Sequence, residues 1–261
     1  MARAERAGVK LRFSLTVDAF DQDGDGVDVR FTDGSTSRYD LVVGADGLRS
    51  WTRRLLDVPL ETRSVGMGIW RVFAPRPAEV VSSEATYGGP LYIAGVTPTS
   101  DSSLYAFLVE DAQDRTTVTP EEQVAIVRGL LESYHGPWDE IRESITDPGT
   151  INYTWFEEHL LDPPWHRGRV VLVGDAVHTC PPTLAQGGAQ GFEDAAVPAE
   201  LLIGGDTLDD ALLTRFAERR YPRVKEVVEA SLQLARWQLA HEQGDVPALM
   251  GRIAALTSSP A

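Results

Sequence analysis

The stretch VVLVGDAVHTCPPTLAQGGAQGFEDA, residues 170–195, decides the fold. Val170 to Val173 is a short, continuous apolar run, the signature of a parallel strand buried on both faces. It stops at Gly174 and Asp175. An aspartate at the C-terminal end of such a strand accepts hydrogen bonds from the hydroxyls of a sugar or ribityl chain, while Gly174 and Ala176 let a ligand approach the backbone. Pro181 and Pro182 carry the chain round to Gln186-Gly187-Gly188, which opens a helix predicted to run to about Ile203. Glycines at a helix start leave N–H groups uncovered where the helix dipole adds roughly half a positive charge. An anionic ligand edge is stabilised there. Pro198 is expected to kink this helix between Asp194 and Pro198.

Working outward, Asp40-Leu41-Val42-Val43-Gly44-Ala45 has the same character and predicts a second buried parallel strand. Before it, Leu11 to Ala19 and Val27 to Phe31 alternate apolar and polar residues around Asp-Gly turns, which predicts a β meander. Between the two buried strands lie Met67 to Phe73, Ala85 to Tyr87, Leu91 to Val96 and Leu104 to Val109, rich in Val, Ile, Tyr and Trp. An antiparallel sheet is the economical arrangement. Thr119-Pro120-Glu121-Glu122 starts a helix expected to end near Tyr134. Leu208 to about His241 reads as helix with a break at Pro222. Trp70, Tyr87, Tyr92, Tyr105 and Phe107 are expected mainly in the sheet core, with a minority facing a substrate cavity.

The charge balance excludes several functions. The 261 residues carry 24 Lys plus Arg against 39 Asp plus Glu, a formal charge of −15, and nucleic acid or an anionic membrane surface requires a basic footprint. The single cysteine, Cys180, rules out a disulfide framework within the chain and suits a reducing, cytoplasmic setting. It reads as a small filler, since the sequence puts no base beside it. The first residues have no apolar core of a signal peptide, and no stretch approaches the ~20 apolar residues of a membrane helix. Asp21-Gln22-Asp23-Gly24-Asp25-Gly26 imitates a calcium loop, but its twelfth position is Thr32 where a bidentate Glu is required. No metal site is expected. His178 is read as a structural lock on its turn.

Taken together, these segments resemble the single-component FAD-dependent aromatic-ring monooxygenases of the para-hydroxybenzoate hydroxylase and salicylate hydroxylase type. The resemblance rests on Gly174, Asp175, Ala176, His178, Pro182, Gln186, Gly187, Gly188, Glu193, Asp194 and Ala195. It extends to Asp46-Gly47-Leu48-Arg49-Ser50, to Met67-Gly68-Ile69-Trp70-Arg71 and to the helix around Phe216 to Val224. It implies that FAD is held by Asp46, Gly47, Arg49, Gly174, Asp175, Ala176, Pro182, Gln186, Gly187 and Gly188, with Trp70, Arg71 and Tyr92 toward the substrate. It also implies an NAD(P)H-dependent monooxygenase that hydroxylates an aromatic or polycyclic small molecule through a flavin hydroperoxide, with oxygen as co-substrate.

One departure stands out. The family's strand, Gly-x-Gly-x-x-Gly turn and helix, which hold the FAD pyrophosphate, have no counterpart here, and the chain is expected to start partway through the FAD domain. The fold class expected is α/β: the later part of a Rossmann-like FAD-binding domain (1–60 and 160–203), an inserted antiparallel substrate sheet (61–159) and C-terminal helices (204–261). A second chain or an upstream segment is expected to complete the FAD site, or the chain to form a homo-oligomer. The alternatives are a non-catalytic truncated homologue or interaction protein, and a different FAD enzyme on this scaffold, such as an epoxidase or ring-opening oxygenase.

Overall fold

The computed structural model describes residues 2–205 and 207–261. After a short helix α1 (Ala2–Arg6), strands β1 (Val17–Gln22), β2 (Val27–Phe31) and β3 (Thr36–Tyr39) form the expected antiparallel meander. The first strand starts later than its alternation implies. Val9, Leu11 and Phe13 are exposed, because no strand among the described residues lies alongside them, and β2 meets the chain only from Val17 onward. Alternation without a partner does not make a strand.

Next come β4 (Val42–Gly44), α2 (Trp51–Leu55), β5 (Arg63–Pro75), β6 (Glu84–Tyr87), β7 (Ile93–Pro98) and β8 (Ser103–Asp111). Helices α3 (Pro120–Leu130) and α4 (Pro137–Ser144) follow, then β9 (Ile151–Leu160), β10 (His166–Arg167), β11 (Val170–Leu172) and β12 (His178–Thr179). Helices α5 (Gly187–Ile203), α6 (Asp210–Leu239) and α7 (Val246–Thr257) close the chain. β11 runs parallel to β4, Val170 opposite Val42 and Leu172 opposite Gly44, with β10 antiparallel on its far side. The large sheet is antiparallel in the order β12-β9-β5-β8-β7-β6.

The large sheet is buried on two faces. Trp70, Val72, Leu104 and Leu108 pack with Val127 of α3 and Ile141 of α4 on one side; Met67, Ile69, Ile93 and Val109 pack with Ala235 of α6 on the other. α3 begins as its sequence dictates. The Thr119 hydroxyl accepts from the Glu122 N–H and the Glu122 carboxylate accepts from the Thr119 N–H. The helix ends at Leu130, short of Tyr134.

The helix break expected at Pro222 does not occur. α5 continues through Pro198 and α6 through Pro222. A proline inside a helix costs about 3 kcal/mol, whereas burying one large apolar side chain contributes about 1.5 to 3 kcal/mol. Phe216, Val224 and Val228 are all buried around Pro222, so packing outweighs the proline. β9, α4 and α7 lie outside the expected elements. No helix among the described residues is long and apolar enough to cross a membrane.

Candidate cofactor cleft

Leaving β11, Gly174 takes φ +58, a left-handed conformation that glycine adopts without strain, and the chain makes one 3-10 turn over Gly174–Ala176. Side chains from four other elements hold that turn, the weakest being the Thr179 hydroxyl of β12, which donates to the Asp175 carbonyl at 3.4 Å. Asp194 of α5 accepts from the Gly174 N–H at 2.8 Å, the His159 Nε2 of β9 lies 3.0 Å from the Asp175 carbonyl, and Arg53 of α2 donates to the Ala176 carbonyl at 2.7 Å. The Asp175 carboxylate itself makes no hydrogen bond and no ion pair with the described residues. Burial pushes its pKa up, with His178 opposing. It is an acceptor set in a partly dry place and left open.

Behind the turn lies a buried charge network. His178 Nε2 is 2.6 Å from Asp194 Oδ2, and Arg220 of α6 donates through Nε to Asp194 Oδ1 at 2.8 Å. Burial opposes ionisation of Asp194, but His178, Arg220 and the Gly174 N–H together outweigh it and hold the carboxyl below the usual range. His178 thus locks the turn. Arg220 also bonds Glu193 at 2.6 Å and the Gln190 side chain at 2.8 Å, so none of its charge is left uncompensated.

In front of the turn is a cleft of about 620 Å³ whose lining includes Val43, Gly47, Asp175, Gly187, Gly188 and Phe192. α5 opens on it without a side-chain cap at Gln186, and a Cβ built on Gly187 or Gly188 would meet nothing within 4 Å. Their N–H groups are uncovered toward the cleft, as an anion requires. Gly47, at φ +79, lines it from the other loop.

The remaining residues implied by the sequence go elsewhere. Asp46 turns inward: its carboxylate accepts from the Ser50 hydroxyl and, at 2.7 Å, from the Thr52 N–H, so it shapes the start of α2. Arg49 pairs with Glu157 at 2.9 Å and lines a separate cavity of about 430 Å³ beside Arg115. Ala176 is fully buried behind the turn, and Pro182 is exposed on the turn Pro182–Leu184. Trp70 and Arg71 are consecutive on β5 and lie on opposite faces. Trp70 is wholly buried on the α3 and α4 side, where its Nε1–H donates to Glu110 at 2.9 Å. Its expected place toward the substrate is corrected.

Arg71 lies on the other face, donates to the Thr154 hydroxyl and has no carboxylate partner. Beside it the Phe107 ring lies flat over Gly95, where any Cβ would meet the ring at 2.1 Å. Tyr92 occupies a third cavity, of about 390 Å³, where its hydroxyl donates to Asp111 at 2.7 Å and its ring stacks on His241. Burial and Asp111 push its pKa up to about 12. Arg71 and Tyr92 therefore do not share a cavity. His159, Arg53 and Arg220 escaped sequence reasoning. A signal for His159 was the alternation of Ile151-Asn152-Tyr153-Thr154 after Asp147-Pro148-Gly149, which marks β9.

The cleft suits one portion of a flavin dinucleotide: an open carboxylate for ribityl hydroxyls, an uncapped helix start for an anionic ring edge, and apolar walls. Among the described residues no strand, Gly-x-Gly-x-x-Gly turn and helix are present to hold a pyrophosphate, so the fit is to that portion alone.

Comparison with known proteins bears on the same residues. The family model described as "FAD binding domain" matches residues 1–231. The aurachin C monooxygenase/isomerase of Stigmatella aurantiaca is 32% identical over 235 residues, covering 88% of this chain and 60% of that protein. The FAD-dependent urate hydroxylase of Klebsiella oxytoca is 30% identical over 232 residues, 84% of this chain and 57% of that protein. Among solved structures, Klebsiella pneumoniae HpxO complexed with FAD and uric acid superposes with a TM-score of 0.75 at 23% identity, over 93% of this chain and 62% of that one. The chain spans about three fifths of the length of these proteins.

Proposed function

This chain belongs to the FAD binding domain family, that of the FAD-dependent aromatic monooxygenases, and from that premise we propose that it forms the flavin- and substrate-facing part of an NAD(P)H-dependent monooxygenase hydroxylating an aromatic or polycyclic small molecule. The observation that carries the reading is the Asp175 carboxylate, unpartnered in the cleft opposite the open start of α5. FAD, held by Asp175, Gly187, Gly188 and Gly47, would supply the redox and oxygen-activating chemistry, with NAD(P)H as the reductant.

The chain's own residues do the rest. Asp175 accepts from ribityl hydroxyls, and the N–H groups of Gly187 and Gly188 stabilise negative charge at the ring edge. Gly47 allows close approach from the second loop. Arg49, with Glu157, is poised for an anionic cofactor segment, and Arg71 with the neighbouring Phe107 offers a cation and a flat apolar floor to a planar substrate. Val43, Val173 and Phe192 exclude water from the cleft.

In this reading residues 1–60 and 160–203 are the FAD-facing unit, 61–159 the substrate unit and 204–261 the helices that tie them. The single cysteine supports a cytoplasmic setting. A strand-turn-helix unit of the family type, from an upstream segment or a different second chain, closes the cleft. A second reading, a family member that does not turn over, is favoured by one observation: Phe192, which lines the cleft, is 81% exposed, so the described residues leave the cleft open.

Titration of FAD by fluorescence separates the two readings. The 261-residue chain alone is expected to bind weakly, and to gain affinity and phenol-stimulated NAD(P)H oxidation when a relative's N-terminal unit is supplied. Stoichiometric flavin without turnover under those conditions favours the second reading.

A further inference from the structure

Strand β9 touches three parts of the molecule within six residues. Thr154 accepts from Arg71 on the substrate side, Glu157 pairs with Arg49 at 2.9 Å, and His159 reaches the Asp175 carbonyl at 3.0 Å. The last contact is unusual. His159 is 1% exposed, and both ring nitrogens are engaged, Nε2 by Asp175 and Nδ1 by the Thr62 hydroxyl at 2.9 Å.

A carbonyl oxygen only accepts, so Nε2 carries the hydrogen and donates; Nδ1 is bare and Thr62 donates to it. Thr62 stands at the entry to β5. The imidazole therefore spans from the central strand of the large sheet to the cofactor turn. That turn, Gly174–Ala176, is a single 3-10 turn entered at positive φ, and a segment so short has no ladder of its own to fix its direction. Its direction depends on the side chains that grip it.

We propose that His159 is a positioning residue of the cofactor cleft: from β9 it holds the Asp175 carbonyl and so aims the Asp175 carboxylate. This rests on the reading above that Asp175 faces the flavin cofactor. Filling space does not require both nitrogens to be matched, and here each has a partner of the correct polarity. Arg53 and His178 are the charged and titratable neighbours of the ring, and both favour its neutral form, with burial the larger influence. The neutral ring is the one that keeps a single donor on the carbonyl and a single acceptor on Thr62.

The test is made on the full chain without added cofactor. Nitrogen NMR is expected to find His159 in the Nε2–H tautomer. His159→Phe keeps bulk without a donor, and His159→Gln restores a donor. His159→Phe is expected to speed hydrogen exchange at Asp175, Ala176 and Val177 by tenfold or more, to change Ile69 to Val72 less than twofold, and to shift the Asp175 carboxyl titration. His159→Gln should recover most of both. The Nδ1–H tautomer, unchanged exchange at 175–177, or a uniform rise in the turn and β5 alike would overturn the proposal.

If His159→Phe does not fold, Thr62→Val is measured in the same way. No local change there overturns it as well. FAD titration is read separately: local loosening in His159→Phe together with failure of FAD to bind even the completed wild-type protein would sink the flavin reading of the cleft and leave the positioning role standing.

Discussion

The two sheets that flank the cofactor turn are built to opposite rules. In the large sheet β5 is 13 residues long, is paired on both sides, and has helices against both faces, so Trp70, Leu104 and Leu108 are entirely buried. The small sheet has strands of two or three residues, and β4 ends it with Val43 52% exposed. Beside it Phe192 and Ile203 on α5 are 81% and 87% exposed. The first region closes on itself; the second is shaped to receive something. In the second region an apolar core of Trp165, Val170, Leu172 and Phe216 is joined by a buried charge network that the large sheet lacks among the described residues, His178, Asp194 and Arg220.

That contrast is open to attack at its strongest points. Trp70→Ala and Arg220→Met are each expected to lower unfolding stability by about 3 to 5 kcal/mol, the first by leaving a cavity and the second by leaving Asp194 buried without its cation. Denaturant unfolding with hydrogen exchange separates them. Loosening should be confined to the large sheet in Trp70→Ala and to α5 and the Gly174–Ala176 turn in Arg220→Met. A mild Arg220→Met would mean that the apolar core orders the small region without the charge network.

The next effect is on pH dependence. Burial chiefly, with Arg53 and His178, pushes the His159 pKa down to about 4 from an ordinary 6.5, against the Asp175 carbonyl, which raises it. Between those values the unfolded chain binds a proton that the folded chain does not. Stability from this group is therefore complete above about pH 6.5 and is lost as pH falls toward 4, by at most about 3 kcal/mol. Unfolding curves across that window should show the slope in the wild type and a flatter line in His159→Gln.

Asp175→Ala should reduce FAD affinity of the completed protein ten- to hundredfold, about 1.5 to 3 kcal/mol, while leaving unfolding stability within about 0.5 kcal/mol. Unchanged flavin content would place the carboxylate outside the site. The smallest effect is expected at the open wall. Phe192→Ser should alter stability by less than about 0.5 kcal/mol yet reduce self-association at high salt, where screening weakens the repulsion of a chain carrying −15. Sedimentation across a salt series checks this, and a wild-type monomer at high salt would mean that the small sheet needs no cover.

Much of this was legible in the sequence where the chemistry is local. Gly174, Asp175 and Gln186-Gly187-Gly188 follow one another along the chain, and their arrangement needs only a strand, a turn and a helix start. Thr119-Pro120-Glu122 was legible for the same reason. Asp46 is a carboxylate near a helix start, which has two uses, and the sequence alone did not show that it accepts from the N–H of Thr52. Trp70 and Arg71 failed as a pair on the period of two. The clamp behind the turn was invisible because Arg53 and Arg220 lie 122 and 45 positions from Asp175, and His159, 16 positions away, sits on a strand that had not been recognised. Pro222 read as a break because burial on either side of it is a tertiary effect.

Helix α6 carries a constraint of another kind. Arg220 near its first third holds Asp194, which in turn holds the cofactor turn, and Ala235 near its end packs on the substrate sheet, fifteen residues or roughly 22 Å farther along one axis. Adding a single residue between them would rotate everything beyond it by about 100°, so either the guanidinium or the small methyl face would leave its seat. Adding seven brings the face back to within about 20° but displaces it by about 10 Å, two strand spacings of the sheet it covers. The exposed turn at Asp33 and Gly34 has no such rule. Between 220 and 235 the protein has a ruler in place of a hinge, and insertions and deletions there are closed to it.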